Sequence, residues 1–131
     1  MSISSINMRK LHTLLALFAL ILAMGSCKKD DPVYPFKVVV ESESGVRVQN
    51  AEVRCFVPLP NVDIEYYGTT GINGVASFEH DGGEIVVQIQ VTKGNSTPTA
   101  VGCGYLKLTP DETATATIVV TEYDPEDPGC Q

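Results

Sequence analysis

Tryptophan is absent from this chain, and histidine occurs only at His12 and His80. Nucleophilic catalysis needs an activated nucleophile, a base within reach and a group that orients the base. One imidazole beyond the N-terminal segment offers little, and neither Gly-x-Ser-x-Gly nor His-Glu-x-x-His occurs. No catalytic residue is assigned, and the chain is read as a non-enzyme. Positive charge is scarce too: nine Lys and Arg stand against sixteen Asp and Glu, a net charge of −7. Such a surface is repelled by phosphate backbones, which argues against nucleic acid as a partner. Neither Asp124, Glu126 and Asp127 nor Asp81 and Glu84 has the spacing of an oxygen cage for calcium. No metal and no cofactor is expected.

Long apolar runs are also missing. The longest, residues 14–24 (LLALFALILAM), is short of the ~20 residues that a spanning helix needs. Arg9 and Lys10 precede it, and small Gly25 and Ser26 follow, directly before Cys27. This order is that of a secretory signal over residues 1–26. Together with Cys27 it resembles the lipobox of bacterial lipoproteins, with Met24 where Leu is most usual. The resemblance implies cleavage before Cys27 and lipid on its thiol, so that the mature protein meets the membrane through Cys27. Two or three acyl chains anchor firmly, since each buried CH₂ contributes about 0.8 kcal/mol. Lys28-Lys29-Asp30-Asp31 resembles the short Lys-plus-acidic signal that carries some lipoproteins across the outer membrane to the cell surface. Residues 27–35 are read as the tether, stiffened by Pro32 and Pro35.

Val, Ile and Thr recur in the remainder, and Gly and Pro punctuate it at turn spacing. Seven stretches alternate apolar and polar residues or read as strands by composition: 36–41, 51–57, 62–70, 75–79, 84–92, 98–108 and 113–123. The clearest is 84–92 (EIVVQIQVT), with Ile85, Val87, Ile89 and Val91 on one face. Glycines flank Cys103 and predict a bulge or a close backbone approach. His80 is placed in a turn with Asp81-Gly82-Gly83. The pattern is all-β, a single seven-stranded Greek-key-type β-sandwich over residues 36–123. Residues 124–131 form an acidic, Pro-containing tail.

Residues 45–53 (GVRVQNAEV) and 69–78 (TTGINGVASF) resemble the carboxypeptidase regulatory-like domain, which is similar to transthyretin and to Cna-B modules. The resemblance covers most of residues 36–123 and implies a transthyretin-like sandwich without peptidase chemistry. Gly71 stands where Asp is usual after the Thr. Such motifs consist of turn and core residues and specify fold rather than activity.

Four cysteines are present. With lipid on Cys27, the residues Cys55, Cys103 and Cys130 remain, and export to an oxidising compartment predicts one disulfide. The favoured pair is Cys55 with Cys103; the alternative ties Cys130 to Cys103 or to Cys55. On the strand 62–70, the carboxylates of Asp63 and Glu65 share a face. Tyr67 beside Glu65 is suited to stacking on a sugar or anchoring a protein. The reading is a non-enzymatic lipoprotein of the outer membrane, exposed at the cell surface, acting as a binding, adhesion or structural module for a protein or glycan ligand. The alternatives are a periplasm-facing accessory subunit of an uptake or assembly complex, and a small ligand-binding protein or enzyme on a sandwich scaffold.

Overall fold

The computed structural model describes residues 2–25 and 31–127. It falls into two compact units, residues 1–31 and 32–131. The first holds helix α1 (Ser2–Gly25), into which the apolar run falls. Among the described residues no helix is long and apolar enough to cross a membrane. Cys27 and the Lys-Lys-Asp that follows it lie outside the described residues, as does Cys130.

The second unit is all-β. Its strands are β1 (Val33–Ser42), β2 (Glu52–Phe56), β3 (Glu65–Thr69), β4 (Val75–Asp81), β5 (Val86–Gly94), β6 (Pro98–Lys107) and β7 (Ala114–Glu122). They form one mixed sheet in the order β3-β2-β5-β6-β7-β1-β4, nearly closed into a barrel. Every pairing is antiparallel except that of β1 with β7. Alternation sets the core, since successive strand residues face opposite sides. Phe36, Val38 and Val40 of β1, Val53 and Cys55 of β2, Val87, Ile89 and Val91 of β5, and Ile118 and Val120 of β7 all point inward.

β6 contributes glycines rather than bulk. A Cβ on Gly102 would lie 2.7 Å from Ile118, and one on Gly104 would lie 2.5 Å from the same side chain. Ile118 thus fills the space between β6 and β7, whose own ladder is only two residue pairs long. The close approach expected around Cys103 is this contact. Gly104→Ala is expected to lower stability by about 1–3 kcal/mol through overpacking. Ile118→Val removes the colliding Cδ1, so the loss from Gly104→Ala shrinks in that background. A double-mutant cycle in urea measures the coupling; additive losses would refute the contact.

The motif residues hold the loops at one end. Thr70 is 1% exposed. Its Oγ1 accepts the Ala51 N–H at 2.9 Å and donates to the Val48 carbonyl at 2.7 Å. Gly74 has φ +72°, and a Cβ there would press on Arg47 and on the backbone of Val40 and Val48. These contacts clip the turn between β3 and β4 onto the connection between β1 and β2.

Two expectations are corrected. The tether does not run to residue 35. β1 begins at Val33, and Tyr34 is 5% exposed opposite His80. Tyr34 continues the inward alternation of Phe36 and Val38, and Pro35 precedes the ladder with β7, which starts at Phe36. His80 is not a turn residue. It is the inward position after Ala76 and Phe78 on β4, and is 2% exposed.

Candidate functional site

The outward positions of β3, β2 and β5 form a built polar face. Register places Arg54 between Tyr67 and Gln90, Phe56 between Glu65 and Gln88, and Glu52 between Thr69 and Thr92. Glu65 and Arg54 are therefore diagonal neighbours across the β2–β3 pair, within reach of long side chains. One Glu65 oxygen, Oε1, accepts both the Arg54 Nε–H and the Tyr67 hydroxyl, the latter at 2.5 Å. Arg54 Nη1 donates to Gln90 Oε1 at 3.1 Å, and the guanidinium carbon sits 4.1 Å from the Phe56 ring centre.

These contacts tune the ionisable groups. The Tyr67 hydrogen bond, and then Arg54, hold the Glu65 carboxyl below its ordinary range. The same bond to Glu65 pushes the Tyr67 phenol up. The Arg54 guanidinium is raised by its hydrogen bond to Glu65. A depressed carboxylate stabilises the fold above its unfolded pKa, and that contribution is lost as pH falls through the folded value. The raised Tyr67 phenol contributes below its unfolded pKa and loses this as pH rises through the folded one. The cluster is thus intact across the neutral range and comes apart at either extreme.

Beside it lies a shallow depression of about 440 Å³, lined by Glu52, Arg54, Tyr67, Thr69, Gln90 and Thr92. Tyr67 is 70% exposed at its rim. The sequence placed Tyr67 beside Glu65, and the structure brings them together. It does not bring Asp63 along: that residue precedes β3 in the connecting loop. The sequence does not single out Arg54. Its only signal there is its outward position on a strand, because its partners sit on two other strands.

On the inner side, Tyr66 and His80 join the unpaired margins of the sheet. The Tyr66 hydroxyl and His80 Nδ1 are 2.6 Å apart, and His80 Nε2 is buried without a partner among the described residues. Burial, and secondarily the charge of Asp81, push the Tyr66 phenol up. The rings of Tyr34, Phe36 and Phe78 complete this group. The hydroxyl within reach of the imidazole is a phenol that bridges β3 to β4. Among the described residues no cluster of His, Cys, Asp and Glu is placed to hold a metal.

The expected Cys55–Cys103 pair is not formed. Cys55 is a free, fully buried thiol. Its row runs through Ile89 to Gly104, whereas Cys103 pairs with Gln90. One residue of offset puts the two sulfurs on opposite faces of the sheet. Cys103 is disulfide-bonded, and not to Cys55. Burial pushes the Cys55 thiol up to about 12, so it stays protonated and inert at neutral pH. Incubation of the native, oxidised protein with iodoacetamide is expected to leave Cys55 unmodified, while labelling in guanidinium is complete. Native labelling at the denatured rate would contradict its burial.

The chain matches no protein-family model and no curated protein sequence.

Proposed function

We propose that this chain is a bacterial lipoprotein of the outer membrane, held through lipid on Cys27, whose β domain is a non-enzymatic binding module exposed at the cell surface. The observation that carries the binding role is the Tyr67–Glu65–Arg54–Gln90 cluster, fixed on an open sheet face beside a depression. The attachment reading rests on the Gly25-Ser26-Cys27 sequence behind an eleven-residue apolar run, and on the charged residues 28–31. We read the nearly closed sheet as a Greek-key arrangement of transthyretin type. The first-with-last strand pairing and the Thr70 and Gly74 contacts support that reading.

Labelled palmitate is expected in the membrane-bound parent protein and absent from Cys27→Ser. Proteinase K added to intact cells then separates surface display from a periplasm-facing subunit. Protection equal to that of a periplasmic control would overturn the surface placement, and label retained in Cys27→Ser would overturn the anchor.

The same reading assigns the disulfide. With Cys27 lipidated and Cys55 free, the sulfur left for Cys103 is that of Cys130. Asp127, three residues before it, lines the same surface depression as Cys103. Non-reducing peptide mapping is expected to recover Cys103 with Cys130. Closing so long-range a connection as 104–129 contributes about 3–4 kcal/mol in the chain-entropy view. Recovery of Cys103 with Cys27 would remove both this pairing and the lipid.

A further inference from the structure

We propose that the outer face of β3, β2 and β5 binds a neutral glycan, with the Tyr67 ring against the apolar face of a sugar and Arg54, Glu65 and Gln90 holding its hydroxyls. This deepens the binding-module reading and rests on it.

Preorganisation is the first reason. Arg54 is an outward side chain on a strand, yet it is held at once by Glu65, Gln90 and the Phe56 ring. Tyr67 is tied to the same carboxylate. Side chains already fixed lose little freedom when a ligand arrives, which favours binding.

The unused hydrogen-bonding groups match a diol. Glu65 Oε2 and the amide nitrogen of Gln90 make no hydrogen bond among the described residues. They offer an acceptor beside donors. Adjacent sugar hydroxyls present the complementary donor and acceptor. Thr69 and Thr92 add hydroxyls along the same depression.

Charge and composition narrow the class. Two carboxylates, Glu52 and Glu65, stand against one guanidinium on β2 and β3, and Lys107 beside Tyr105 on β6 brings the wider face to balance, on a chain of net charge −7. An anionic ligand is disfavoured there. A protein partner is disfavoured as well, because such an interface is centred on a desolvated apolar cluster. Here the exposed ring is surrounded by Glu, Arg, Gln and Thr. Tyr105, 65% exposed, lies on the same face of β6. It is three strands from β3, about 14 Å at the usual strand spacing. A ligand lying across the strands reaches both rings, so an oligosaccharide or polysaccharide fits better than a single sugar.

The test is native affinity electrophoresis of the full-length chain in detergent. Gels contain a soluble β-glucan, xylan, galactomannan or amylopectin, with polygalacturonate as the anionic comparison. At least one neutral polysaccharide is expected to retard the protein, and polygalacturonate is not. Tyr67→Ala should weaken the retardation about tenfold, the loss of one stacked ring. Tyr67→Phe keeps the ring and should retain most of it. Ile72→Ser, exposed in the turn after β3 and off this face, should run as the parent does. Arg54→Gln is the second variant, so that the outcome does not depend on Tyr67→Ala folding; thermal midpoints identify folded variants. The proposal is overturned if no neutral polysaccharide retards the parent, if retardation is the same in folded Tyr67→Ala or Arg54→Gln, or if only polygalacturonate retards it. Those results leave palmitate labelling at Cys27 untouched, so failure here is distinct from failure of the anchored-lipoprotein reading.

Discussion

Phe36→Ala is expected to remove about 3–5 kcal/mol of stability, the range for deleting a buried phenyl group. Phe36 is fully buried on β1. It stands directly opposite Phe78 on β4 and Ala114 on β7. Its ring stacks on Phe78 with centroids 5.1 Å apart and meets the edge of Tyr66 on β3 at 5.7 Å. β3 and β4 are the two ends of the strand order, so one ring touches both margins that the backbone ladder leaves unjoined. Alanine would open a cavity between the Phe78 and Tyr66 rings. A domain of this size has about 5–15 kcal/mol in total, so the substitution takes a large share of it. The midpoint should fall by about 12–40 °C at the usual ~4–8 °C per kcal/mol. Phe36→Leu keeps most of the volume and should cost about 1–2 kcal/mol. Equal losses in the two variants, measured by urea denaturation, would show that the ring is not the keystone.

Thr70→Val should cost about 2–3 kcal/mol although the side chain keeps its shape. The lost hydroxyl now satisfies the Ala51 N–H and the Val48 carbonyl. Valine leaves both without that partner in a site that is 1% exposed, and an unsatisfied buried group costs about 1–3 kcal/mol. The backbone bonds between Thr70 and the segment at Asn50 and Ala51 would keep the turn in place, so the loss reports the hydroxyl itself. Thr70→Ser restores it at the cost of a methyl group, about 1 kcal/mol. A serine variant as unstable as the valine variant would refute the hydroxyl clip.

Much of this architecture was legible because period-two alternation and Gly and Pro punctuation act locally. β5 and β7 carry their inward residues at the positions that alternation marks, Val87, Ile89 and Val91, then Ile118 and Val120. β6 inverts the signal. Its apolar Val101, Cys103 and Tyr105 alternate with the glycines that face Ile118, so hydrophobicity points the wrong way and suggests for Cys103 a partner that lies on the opposite face. The Asp-Gly-Gly after His80 suggests a turn there, although Ala76 and Phe78 mark its inward parity. The candidate site divides in the same way. Tyr67 and Glu65 are two residues apart on one strand, and their meeting follows from local geometry. Arg54 and Gln90 join them only through strand register, which depends on how distant segments pair.

The parallel pairing of β1 with β7 bears on when this domain can fold. The first strand of the barrel finds one of its two neighbours in the last. Until that strand is available, the Phe36 side of β1 has only β4 to pair with. Long-range closure of this kind slows folding, since chain entropy is lost before the contacts that compensate it form. The parallel half of β1's pairing therefore cannot form until β7 has been made.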